Sequence, residues 1–101
     1  MTVNPQDAET LSRVALYAAR LGDKVNAIAK TKRAVSLAPS SRSVAWHATL
    51  AYELAGQRDL ALEAMKAALR AGQPAQEIEG EPTLRNLRAD ARYAHLMPGA
   101  K

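Results

Sequence analysis

The sequence predicts an all-α protein of paired antiparallel helices. Three observations carry that prediction: an apolar content built from small and aliphatic residues, an internal period, and glycine and proline at regular stops. Of 101 residues 48% are hydrophobic, yet aromatics make up only 4% and Phe is absent. The apolar area must therefore come from Ala, Leu and Val. Alanine and leucine are strong helix formers, whereas the β-branched and aromatic residues that favour strands are sparse. A chain of this length forms one domain with a modest core.

Set against itself at an offset of 34, the chain aligns Leu16 with Leu50, Gly22 with Gly56, Ala27 with Ala61, Lys32 with Lys66 and Ala34 with Ala68. Similar residues fill the gaps, as Ile28 with Leu62 and Val35 with Leu69. A fixed period of this size is the mark of stacked helical units.

The elements follow in order. Asn4 before Pro5 has the form of an N-cap with proline at the first helical position, so a first helix is expected from about Pro5 to Leu21, stopped by Gly22. Asp23 caps a second helix through Leu37, which Pro39 prevents from extending far. Ser40 and Ser41 are cap candidates for a third helix that ends at Gly56. A fourth runs from about Arg58 to Ala71, with Gly72 as a left-handed terminator. Leu11, Val14, Ala15, Ala18 and Leu21 recur at helical spacing, as do Ala61, Leu62, Met65, Ala68 and Leu69, and these rows are the expected core faces. Alanine at 27, 34, 61 and 68 lets helix axes approach closely.

Beyond Gln76 the pattern changes. Gln76 to Glu81 is too acidic and too broken by Gly80 and Pro82 for a third full unit. Pro82 opens a short helix through Arg88, and Asp90 caps another through Met97 before Pro98 and Gly99 end it. Leu84, Leu87, Tyr93, Leu96 and Met97 form its apolar set, which reads as a cap over the last unit.

With Ala8 as the first residue of a unit, small and apolar positions fall on Leu11, Val14, Ala15, Ala18, Ala27, Thr31, Ala34 and Pro39. In the second unit they fall on Ala45, Ala48, Thr49, Tyr52, Ala61, Met65 and Ala68, with Pro74 one place late. This pattern resembles the tetratricopeptide repeat family, with units at about 8–41 and 42–75 and a cap at about 76–97. Trp46 sits one place after the family's usual tryptophan, and glycine is missing from the eighth position of both units. The run from Glu81 to Tyr93 resembles an ending seen after such units in multidomain bacterial proteins.

The resemblance implies a protein-protein interaction scaffold whose first helices line an inner surface that holds a peptide or protein partner, as a module of a larger bacterial regulatory protein. In the third helix Ala45, Ala48, Thr49 and Tyr52 account for the core face. Leu16, Trp46 and Leu50 then form a second row, with Glu53 beside it, which is the expected partner-binding groove. A large aromatic beside leucines is the usual make-up of an interaction hot spot. The competing expectation places the C-terminal cap or a second copy of the chain on the same residues.

Other function classes find less in the sequence. His47 and His95 lie in different elements without a second ligand at helical spacing, so no metal site is expected, and no glycine-rich phosphate loop or nucleophile turn points to a cofactor or an enzyme. The absence of Cys removes disulfides and thiolate sites. The net charge of +4 gathers partly at Arg20, Lys24, Lys30, Lys32, Arg33 and Arg42. Lys30, Lys32 and Arg33 form the alternative site, a basic face for a polyanion or nucleic acid, although it lacks interleaved aromatics. A self-assembling structural unit is the third reading. Met1 to Asp7 carries no signal pattern, and no apolar stretch approaches the roughly 20 residues of a membrane helix, so a cytoplasmic protein without a membrane anchor is expected.

Overall fold

A computed structural model describes residues 5–97 of the chain. The helices are α1 (Pro5–Arg20), α2 (Lys24–Leu37), α3 (Arg42–Leu54), α4 (Arg58–Arg70), α5 (Ala75–Gly80), α6 (Arg85–Arg88) and α7 (Ala91–Leu96), with a 3-10 turn at Pro82–Leu84 between α5 and α6. No strand occurs among the described residues, and the protein is all-α.

Local chemistry sets the boundaries. Asp23 accepts from the backbone N–H of Asn26 and Ser41 from that of Val44, which satisfies first-turn donors of α2 and α3. The Ser41 side chain makes the bond, which decides between the two serines offered by the sequence. The expected Asn4 cap and the stop at Pro98 and Gly99 lie outside the described residues.

Gly22, Gly56 and Gly72 all take positive φ, at 87°, 78° and 104°. At each, the amide of the following residue reaches back five residues: Asp23 to the Ala18 carbonyl at 2.9 Å, Gln57 to Tyr52 at 2.8 Å, Gln73 to Ala68 at 2.9 Å. This 6→1 bond satisfies a helix-end carbonyl and needs a left-handed residue, a conformation that costs glycine little. The same stop therefore ends α1, α3 and α4.

Because the turns are so short, α1 packs on α2 and α3 on α4 as antiparallel neighbours, and α3 also lies against α1 and α2. The buried alanines Ala27, Ala34, Ala61 and Ala68 sit where the axes come close. The main core joins Leu16, Ala19, Ala48, Leu50, Ala51, Tyr52, Leu62 and Met65 to Ile78, Leu84 and Leu87 of the C-terminal segment. A smaller cluster seats Val44 of α3 against Ala8 and Ala34 of the first pair.

One expectation needs correction. Val14 and Leu21 were placed on the core face of α1, yet they are 44% and 85% exposed, because no element among the described residues covers that side of the helix. The acidic stretch before Pro82, expected to be no third full unit, forms the short α5, which buries Ile78 completely. Arg88 then ties the segment together by donating to the carbonyls of Ile78 and Glu81 at 2.9 and 2.6 Å.

Candidate docking surface

The row Leu16, Trp46, Leu50 and Glu53 is brought together by the fold, but not as an open groove. Leu16 and Leu50 are 9% and 3% exposed within the main core, and Trp46 is half-buried against the same cluster. Ile78, Leu84 and Leu87 account for this, since the C-terminal segment folds back and its 3-10 turn packs on α3. Glu53 is also engaged. It accepts from Arg58 Nε at 2.8 Å and Nη2 at 2.7 Å, a bidentate pair that leaves little of the carboxylate for a partner. Arg58 reaches on to Asp90 at 3.3 Å, and Asp90 in turn holds Arg92 at 3.0 Å. Arg92 foremost, then Arg58, keeps the Asp90 carboxyl well below the usual carboxylate range. Leu16, Leu50 and Trp46 thus belong to or pack on the core that the C-terminal segment joins.

Lys30, Lys32 and Arg33 do not converge. Residues two apart on an α-helix project about 200° apart, so Lys30 and Lys32 leave α2 on nearly opposite sides. Lys32 and Arg33 are exposed, while Lys30 lies partly covered beside the buried edge.

A different surface emerges on α1. Val14, Tyr17 and Leu21 are 44%, 67% and 85% exposed and follow the i, i+3, i+7 spacing of one helix face, with exposed Val25 just across the turn. Their counterparts one period later are Ala48, Ala51 and Ala55, all buried. Val44, at the same register as exposed Thr10, packs against Ala8 and Ala34 of the first pair. The face by which the second pair stacks on the first is therefore repeated on α1 with larger apolar side chains and, among the described residues, nothing on it. Sequence reasoning took Val14 and Leu21 for core. The contrast of Val, Tyr and Leu with Ala, Ala and Ala was nevertheless present in the period.

Beside this face lies a cavity of about 150 Å³ lined by Arg13, Leu16, Tyr17, Arg20 and His47. Ser12 Oγ donates to the Glu9 carbonyl at 2.8 Å, so its 2.8 Å contact with His47 Nδ1 requires Nδ1 to carry the proton and donate. The ring is fixed by that bond. Burial lowers the His47 pKa, Arg13 lowers it further, and Glu9 opposes both. Ser12 and His47 are 35 positions apart, one more than the period, so neighbouring first helices bring them together without any local motif. The pair is no nucleophile, because Ser12 is buried and its proton is committed to a backbone carbonyl.

A second concavity, about 260 Å³, is the apolar seam between α2, α3 and α4 at Val35, Ala38, Tyr52, Leu60 and Ala64. No group of three metal-ligating side chains occurs among the described residues, and no helix there is long and apolar enough to cross a membrane. No family model, curated protein or solved structure matches the chain.

Proposed function

We propose that this chain is a protein-binding scaffold, a stack of two tetratricopeptide-like helix pairs closed at one end, that docks a helix of a protein partner on Val14, Tyr17, Leu21 and Val25. The observation that carries the reading is the register contrast. Positions that α3 buries against the first pair are apolar and bare on α1, and a helix occupying the place that α2 takes beside α3 would cover them. Exposed Leu and Val at such levels stabilise nothing in the free protein, and burial of apolar surface is the main source of affinity at helix interfaces. The row Leu16, Trp46, Leu50 and Glu53 offers less open surface, since Leu16 and Leu50 are buried in the main core and Glu53 is paired with Arg58. No chemical step is assigned to the chain.

The test is a double substitution, Tyr17→Glu with Leu21→Glu, in the otherwise intact protein. Both side chains point to solvent, so thermal stability should stay within a few degrees of the parent while captured partners fall away. Capture of the same proteins by parent and variant alike refutes docking on this face.

A further inference from the structure

The end face of α1 is apolar in the middle and cationic at its border. Arg13 and Arg20 are exposed, line one cavity with Tyr17 and His47, and form no salt bridge among the described residues. Lys24 stands exposed beside Leu21 and Val25. The acid at this end, Asp23, is used as the cap of α2, where it accepts from Asn26 Nδ2 at 2.7 Å as well as from the Asn26 backbone. Glu9, one turn before Arg13, is the carboxylate that faces His47. Tyr17 belongs both to the apolar row and to the cavity wall, so the two features form one continuous surface.

We infer that the partner segment seated on Val14, Tyr17 and Leu21 is an acidic amphipathic helix that places a carboxylate in the cavity between Arg13, Arg20 and His47. The inference rests on the docking reading above and names the chemistry of its partner. Charge complementarity selects the occupant. Two exposed guanidinium groups that line one concave corner, and form no ion pair among the described residues, attract an anion. Their planar forks suit a carboxylate, while the His47 ring, whose N–H is spent on Ser12, only walls the cavity. A symmetric second copy is the poorer fit, because it would lay Arg13, Arg20 and Lys24 against themselves.

The experiment uses the full chain and three synthetic 20-residue helical peptides with Leu and Ala at i, i+4, i+7 and i+11. They differ only in carrying Glu, Gln or Lys at the flanking positions. The Glu peptide should bind at least tenfold more tightly than the Gln peptide at low ionic strength, and the Lys peptide most weakly. Arg13→Gln with Arg20→Gln should erase the Glu-over-Gln preference, and the Glu peptide should shift the His47 ring resonances. Equal binding of Glu and Gln peptides, or an unmoved His47 signal, overturns the acidic-partner inference while leaving apolar docking intact. Failure of all three to bind overturns both. A mass of the protein alone that rises with concentration, reversed by Tyr17→Glu, assigns the face to a second copy and overturns the inference too.

Discussion

His47 is held by one bond and pressed by two opposing charges. Its neutral form is favoured first by burial and then by Arg13, and Glu9 is too weak a counterweight to restore its ordinary value of 6.5. In the free protein it should titrate below 6.5, and Arg13→Gln should raise the value without bringing it fully back, since burial persists. The stability consequence has a definite sign. Above about 6.5 the folded and unfolded chains both hold a neutral ring; as pH falls below that, the unfolded chain binds the proton first and stability drops. Proton resonance titration of the ring reads the pKa directly. A parent value at or above 6.5 contradicts this account of the site. None of this was visible from the sequence, where His47 stood alone with no partner at helical spacing. Its partner Ser12 lies on another helix.

At the scale of elements, the sequence was most legible where a single residue has one physical solution. Gly22, Gly56 and Gly72 were read as stops and each closes its helix with a 6→1 bond at positive φ. A side chain at Gly56 meets nothing within 4 Å, so the cost of Gly56→Ala is conformational alone. It should be about 1 kcal/mol, read as a lower Tm with unchanged helical content. A drop of several kcal/mol would mean that packing rather than φ demands glycine there. The faces of helices were less legible. Ala15 is core as expected, but Val14 and Leu21 on the same helix are bare. Periodicity reports that a face is apolar and says nothing of whether a neighbour stands opposite. Tyr52, Ala61 and Met65 have neighbours on every side, and there the periodic reading agrees with burial.

Across the whole molecule, which measures about 45 × 27 × 19 Å, the two ends of the stack are unequal. One end carries Ile78, Leu84 and Leu87, each fully buried, under a charged clasp of Glu53, Arg58, Asp90, Arg92 and Asp59. The exposed Arg92–Asp59 contact adds little, whereas the covered Glu53–Arg58 pair and the apolar cap carry the closure. Truncation after Gly72 should therefore strip Leu50, Leu62 and Trp46 of their cover. The expected result is a loss of several kcal/mol, with a red-shifted Trp46 emission and binding of a hydrophobic dye. An unchanged Tm would show that the two helix pairs do not depend on the cap. At the opposite end Val14, Tyr17 and Leu21 have no such cover among the described residues.

The sequence by itself determined the class, the helix boundaries and the period. Those properties depend on local propensity, capping and the left-handed freedom of glycine, which act within a few residues. It also left the row of Leu16, Trp46, Leu50 and Glu53 between two occupants, a partner and the cap. Tertiary structure buries Leu16 and Leu50 in the core that the C-terminal segment joins, because whether a row of apolar residues is groove or core depends on the path of distant segments of the chain. The same physics placed the open surface at α1. Hydrophobic burial is non-directional, so an apolar face goes to whichever neighbour the topology supplies, and on that side of the stack the described residues supply none.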